Sequence, residues 1–233
     1  MSRLRLSHIL QRVTDLPAAV ADAEAAGFTV HWGSDPDHAH NALVWFEDGP
    51  FLELFAVPPF DESLAEVYVQ HAGPGSVLRS RRWATMDDGW CDYALETDDD
   101  DLGEVMDRCS ANGMAIGPKF RPNRALPGGG AVEWDLAFPH AGDLPFVMGA
   151  YAPAQRPTTV THANGATAIT SISVAHADPE RHVAELARYA DTDTLAGVEI
   201  IAGGRDDDVV ITAVHAAGLA APVAFGSGTI TPA

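Results

Sequence analysis

The chain has 233 residues, enough for one large domain or two small ones. Its 33 acidic residues against 14 basic ones give a net charge of −19, a field that repels nucleic acid and anionic membranes, so neither is expected as a partner. Two cysteines, Cys91 and Cys109, argue against a disulfide framework, and there is neither an apolar run of roughly 18 residues nor a signal-peptide core, so a cytoplasmic protein is expected.

Residues 5–13 read as a strand. Asp15 caps a helix over 16–26, with Pro17 tolerated in its first turn and Gly27 at its end. Strands follow at 28–32, 42–46 and 51–57, separated by the polar loop 33–40 and an Asp48-Gly49 turn. The first unit is therefore β-α-β-β-β. Pro58-Pro59 breaks it, residues 61–72 have helical spacing, and 73–90 read as a Gly- and Arg-rich connection. The opening pattern then recurs. Asp101 to Gly113 spans the same twelve residues as Asp15 to Gly27, with a helix over 101–112, a long loop at 119–130 and strands at 131–138 and 145–151. After a linker at 152–166 the pattern starts a third time, with a strand, a helix at 179–190 and strands at 197–202 and 208–214, without room for a fourth strand. The expected fold is α+β: paired β-α-β-β-β modules at 1–57 and 90–152, a connection at 58–89, and a truncated third module in 153–233.

Alternation places Leu6, His8 and Leu10 on one face of the first strand, and Phe51, Glu53 and Phe55 on one face of the fourth. Leu52 and Leu54 then pack under the helix. A carboxylate between large apolar neighbours must be paired, hydrogen-bonded or bound to a metal. His8 reads either as a satisfied core residue or as a ligand. Glu53 reads either as the partner of Arg12 or another Arg, or as part of a divalent-ion site with His8. The loop HAHN at 38–41 adds His38 and His40, the latter continuing the face of Ala42 and Val44.

The runs SHI at 7–9, DL at 15–16, AAGF at 25–28, HNAL at 40–43 and FLEL at 51–54 resemble the glyoxalase-like branch of the vicinal oxygen chelate superfamily. So do R…P…G…V-x-W at 121–134, LPF at 144–146 and H-x-N-G at 162–165, and the resemblance spans about residues 5–200. It implies sheets curved round a cavity. It also implies a divalent ion (Fe, Mn, Zn or Ni) held by first- and last-strand residues of two units, with open positions for substrate oxygens. His8 and Glu53 fall on those positions in the first unit, whereas the second unit offers Ala94 and Met148, which are not hard-metal ligands. A third ligand must come from elsewhere, with His40 first and His38 or His162 behind it. The implied function is a metal-dependent lyase, isomerase or dioxygenase acting on a small oxygenated molecule, with Glu53 also catalytic. The rival is a metal-free protein of the same fold that sequesters a small ligand.

Arg121 and Arg124, on the loop before Trp134, are the expected substrate contacts, because a guanidinium grips a carboxylate or phosphate with two hydrogen bonds. Arg79, Arg81 and Arg82 form a basic cluster expected to pair with local acids. Asp98–Asp101 reads as a loop and helix start, and Gly128–Gly130 lacks the setting of a phosphate loop. The partner is a small molecule, and a homodimer is the assembly this reading allows.

Overall fold

The computed structural model describes residues 3–99, 101–204 and 208–233; Asp100, within the acidic run read as a helix start, lies outside them. Its elements in chain order are β1 (Arg5–Arg12), α1 (Leu16–Ala25), β2 (His31–Trp32), β3 (Asn41–Val44), β4 (Phe51–Phe55), α2 (Ala65–Ala72), α3 (Pro74–Thr85), β5 (Gly89–Glu96), α4 (Gly103–Ala111), β6 (Asn123–Ala125), β7 (Ala131–Glu133), β8 (Leu136–Ala137), β9 (Phe146–Met148), β10 (Ala168–His176), α5 (Pro179–Ala190), β11 (Val198–Ala202), β12 (Val210–Ala217), β13 (Val223–Phe225) and β14 (Gly228–Pro232). The architecture is α+β, as the periodicities imply. No helix among the described residues is long and apolar enough to cross a membrane.

The Asp15 carboxylate accepts a hydrogen bond from the Ala18 N–H at 3.0 Å, which starts α1. Gly27, at φ 87°, lets the chain turn away after it. Leu16, Ala19, Val20 and Ala23 of α1 are buried in one core with Leu52 and Leu54 of β4.

One seven-stranded sheet runs β2-β3-β4-β1-β5-β9-β8. β1 pairs parallel with β4 and antiparallel with β5, which joins the first two units edge to edge. The registers show how the units correspond. His8 lies opposite Phe51 across β1–β4, and Ala94 lies opposite Phe146 across β5–β9. Two residues further on stand Glu53 and Met148, so Ala94 and Met148 occupy the second unit's equivalents of His8 and Glu53. The second unit gives fewer strands to this sheet, because β6 and β7 form a separate hairpin.

Two expectations need correction. A register shift between Leu6 and His8 interrupts the alternation of β1. Leu6 consequently packs with Ile9 in the core that contains α1, while His8 and Leu10 point to the other face. The segment 73–90 is largely the helix α3, not an open connection. Pro74 sits in its first turn, and Val77, Arg79 and Trp83 are buried along it.

A second sheet runs β11-β10-β12-β14-β13. β10 repeats the role of β1, pairing parallel with β11 and antiparallel with β12. Beyond the two strands expected after α5, the chain adds the hairpin β13–β14, turned through Gly226 at φ 52°. The two sheets meet where Trp90 stacks on Phe225, with ring centroids 5.6 Å apart, and where Gln11 Nε2 donates to the Phe225 carbonyl at 2.7 Å.

Candidate functional site

Glu53 sits at the centre of β4, between Leu10 of β1 and Leu43 of β3. His8 Nε2 lies 3.3 Å from Glu53 Oε2. The other carboxyl oxygen accepts from Asn41 Nδ2 at 2.7 Å, and the Asn41 amide oxygen accepts from an Arg124 guanidinium N–H at 3.2 Å. Arg124 arrives from β6, so the hairpin β6–β7 brings a cation to the edge of the first unit. His8, Asn41, Glu53 and Arg124 are all buried, and Arg124 Nε has no hydrogen-bond partner among the described residues.

Burial lowers the His8 pKa to about 3, so the imidazole is neutral at pH 7. Burial also raises the Glu53 carboxyl, against the opposing pull of the Asn41 hydrogen bond and the Arg124 charge. The hydrogen count agrees with these directions. The Ser7 hydroxyl donates its one hydrogen to Glu96 Oε2 at 2.8 Å, so its oxygen is the acceptor for His8 Nδ1–H at 3.0 Å. That tautomer leaves a lone pair on Nε2, facing Glu53. A proton carried by Glu53 then lies between the two.

A cavity of about 530 Å³ lies beside this cluster, lined among others by Arg5, Trp45, Phe51, Glu96, Tyr151 and Arg156. Phe51 stacks on His8 with centroids 4.6 Å apart and meets Trp45 at 4.1 Å. The hydroxyl of the half-buried Tyr151 is pushed above its ordinary pKa, first by desolvation and then by the Glu53 charge. Trp134 packs edge-on against the Tyr151 ring at 5.2 Å. Phe51, which stacks on His8, stands between the cavity and the pair, and the guanidinium of Arg156 lies over Trp45 at the rim.

The remaining expected residues fall into place around this cluster or outside it. Trp134 stands at it through Tyr151. Arg121 is exposed and donates to Asp135 at 2.8 Å, away from Arg124. His40 and His38 lie exposed on their loop, and His40 joins no group of metal-ligating atoms among the described residues. His162 is buried, but its Nδ1 accepts from the Thr29 N–H at 3.0 Å and its Nε2 donates to the Trp45 carbonyl at 3.1 Å. It fastens the linker to the first unit. Arg79 and Arg82 pair with Asp92, and Arg81 with Glu62.

The facing pair therefore supplies two donors to a metal. The equivalent positions hold Ala94 and Met148, and the Arg124 charge acts on Glu53. Protein sites with open coordination use three ligands. The donor set on this sheet does not fit a resident ion.

One three-ligand group does occur elsewhere among the described residues: Asp143, His176 and His182, all buried, with donor atoms within 4.8 Å of one another. Sequence reading did not find it, because Asp143 precedes β9 while the two histidines lie at the end of β10 and in α5. The only local signal is two histidines flanking the Asp178-Pro179 helix start. Arg156, whose guanidinium donates to the Phe46 and Gly49 carbonyls at 2.6 and 2.7 Å, was also missed.

A shared sheet built from successive β-α-β modules is the arrangement of a vicinal oxygen chelate fold. The profile of the Glyoxalase-like domain family matches residues 6–190, and the chain belongs to that family. A hypothetical protein from Staphylococcus aureus superposes over 99% of this chain and 100% of its own, with a TM-score of 0.66 at 15% identity. The Mn(II)-bound glyoxalase from Novosphingobium aromaticivorans superposes over 93% of this chain and 66% of its own, with a TM-score of 0.52 at 13% identity. An extradiol ring-cleaving dioxygenase from B. fuscum covers 92% of this chain and 57% of its own, at a TM-score of 0.45 and 12% identity. Comparison with curated protein sequences finds no significant match.

Proposed function

We propose that this protein is a glyoxalase-like enzyme, a lyase or isomerase, that moves a proton next to the carbonyl of a small carboxylate-bearing molecule. The observation that carries the reading is the buried Glu53, held between His8 and Asn41 with the unsaturated Arg124 guanidinium beside them. A carboxyl raised by burial works closer to neutral pH as acid and base. The ionised Glu53 takes the proton from carbon. The protonated Glu53, its hydrogen directed at His8 Nε2, returns it to a neighbouring atom. Arg124 and Trp134 meet the substrate carboxylate, and the neutral His8 keeps a second positive charge out of the site.

The Fe, Mn, Zn or Ni ion expected at His8, His40 and Glu53 has no part in this reading, because only His8 and Glu53 face each other as donors. The free buried thiols of Cys91 and Cys109 support a reducing, cytoplasmic setting. The rival reading, a sequestering protein, is favoured by the near-closed state of the site, where His8 is only 3% exposed. Proton exchange separates the two. Small 2-oxo acids that bind are incubated in D2O, and deuterium at the adjacent carbon is followed by NMR. The enzyme reading expects exchange that Glu53→Gln abolishes while binding persists. Ligands that bind through Arg124 with neither exchange nor conversion would replace it with the sequestering reading.

A further inference from the structure

We infer that Asp143, His176 and His182 form a divalent-metal site that fastens the second unit to the third, separate from the His8–Glu53 cluster. Asp143 comes from the segment before β9, His176 is the last residue of β10, and His182 lies near the start of α5. Asp143 Oδ2 is 3.1 Å from His176 Nε2 and 3.8 Å from His182 Nδ1. Metal–ligand bonds of about 2.0–2.2 Å place neighbouring donors roughly 3–3.5 Å apart, so the Asp143–His176 spacing already suits one ion and the His182 ring must move to join it.

The second observation is His182 itself. Its side chain is 0% exposed, yet neither ring nitrogen has a hydrogen-bond partner among the described residues. A buried donor–acceptor left bare is costly, and a missing ion is one of its standard explanations. The two imidazoles are stacked, with centroids 4.4 Å apart and planes 8° apart. Parallel rings cannot both aim in-plane lone pairs at one point, so binding requires the His182 ring to turn out of the stack.

His176 is already prepared on its far side. Its Nδ1 lies 2.9 Å from both the N–H and the carbonyl of Asp178. Without an ion, Nδ1 accepts the Asp178 N–H and Nε2–H donates to Asp143. With an ion, the proton moves to Nδ1 and is donated to the Asp178 carbonyl, which frees Nε2 for the metal. A backbone carbonyl that fixes a ligating histidine in this way is a usual companion of metal sites.

Arg181 lies against the group. Its guanidinium is 3.7 Å from Asp143 Oδ2 and 3.5 Å from His176 Nε2, and it also pairs with Glu185 at 3.3 Å. It is the cation an incoming ion must displace. Two imidazoles and one carboxylate suit Zn(II), Fe(II), Ni(II) or Co(II) better than Mg(II) or Ca(II). The group joins the segment before β9 to β10 and α5, a placement that suits a structural role.

The test is calorimetry with Zn(II) and Co(II) on chelator-treated full-length protein, with the Co(II) absorption spectrum as a second readout. One ion per chain is expected, with a rise in Tm. The double variant His8→Ala/Glu53→Gln should keep that ion. Asp143→Asn should weaken it by more than the roughly 10–100-fold that an outer partner costs. Arg181→Ala, an exposed change that spares the fold, should bind it more tightly. Wild type that takes up no ion, or uptake unaffected by Asp143→Asn, His182→Ala and Arg181→Ala together, would overturn the assignment. An ion lost only with His8 and Glu53 would move the site to the other cluster.

Discussion

His8 Nε2 faces Glu53 Oε2 at 3.3 Å across the β1–β4 ladder, and both side chains are nearly removed from water. Two ionised groups at this depth would cost far more than their attraction returns. Burial pushes both groups toward their neutral forms, which lowers that cost.

The pair predicts an acid response. The folded pKa of His8, about 3, lies below its ordinary value, so the unfolded chain binds the extra proton first. Stability is therefore lost as pH falls from about 6.5 toward 3, by up to about 1.4 kcal/mol per pH unit. Glu53 acts in the opposite sense. Its folded pKa is raised, so acid protonates it first in the folded state, which offsets the His8 loss until the unfolded carboxyl also titrates near 4.3. Urea unfolding between pH 7 and 4 should show wild type losing stability more steeply than His8→Gln, most clearly at the acid end. Parallel slopes for the two proteins would remove His8 as the cause. The buried His182 and His162 add acid sensitivity to both proteins and cancel in the comparison.

Leu54→Ala and Glu53→Gln should separate stability from function. Leu54 is fully buried in the core beneath α1, while its neighbour Glu53 points to the opposite face. The leucine truncation should cost about 2–5 kcal/mol. It should leave ligand affinity unchanged in the protein that remains folded. Glu53→Gln keeps the volume and the Asn41 contact and removes the acid, so it should unfold near the wild-type urea midpoint. A Leu54→Ala protein of wild-type stability would contradict the packing described here.

Asp92 is a hub and Arg81 is not. Asp92, with no exposed side-chain area, accepts from Arg79 Nε at 3.1 Å, Arg82 at 2.6 Å and Trp83 Nε1 at 3.1 Å, which ties α3 to β5. Asp92→Ala leaves the buried Arg79 guanidinium without its counter-charge and should cost about 3–5 kcal/mol. Arg81→Ala removes an exposed pair with Glu62 and a contact over the Phe60 ring, and should change stability by about 1 kcal/mol or less. Equal unfolding midpoints for the two variants would refute the distinction.

These contrasts also mark what the sequence could reveal. α1 and β4 were legible because local signals agree: an Asp cap, a closing Gly, and alternation that sends Leu52 and Leu54 one way and Glu53 the other. The helix α3 was not. It opens on Gly-Pro-Gly, a breaker pattern, and its buried face includes Arg79, whose counter-charge lies on another strand. Gly75 is there for close approach, since a Cβ would collide with the Pro139 carbonyl oxygen. The bulge that turns Leu6 from the His8 face depends on pairing with β5, which no single-strand pattern encodes. The hairpin β13–β14 had a usable signal in Gly226-Ser227-Gly228 between alternating residues. The Asn41–Glu53–Arg124 chain and the Asp143–His176–His182 group join residues from separate units, so only the folded arrangement displays them.

Arg124 and Arg121 provide the last prediction, because they are three residues apart and structurally opposite. Arg121 is exposed, and its charge is engaged with the buried carboxylate of Asp135. Arg124 is 7% exposed, donates to Asn41, and keeps a buried Nε without a partner among the described residues. In a chain of net charge −19 an anion is repelled at long range, so a shielded guanidinium must supply the local attraction. A charged hydrogen bond made there is worth about 1.5–3 kcal/mol, or roughly 10- to 150-fold in Kd. The Arg121 contact with solvent is worth much less. A thermal-shift and calorimetric screen of 2-oxo acids, hydroxy acids and catechols should return carboxylates. Their affinity should fall at least tenfold in Arg124→Ala and by less than about threefold in Arg121→Ala. Arg124→Lys should recover only part of the loss, since an ammonium keeps the charge without the two-pronged geometry. Carboxylate affinity untouched by Arg124→Ala, or hits confined to neutral apolar compounds, would show that the cavity beside Phe51 and Tyr151 binds by apolar contact and that Arg124 serves only to hold Asn41 against Glu53.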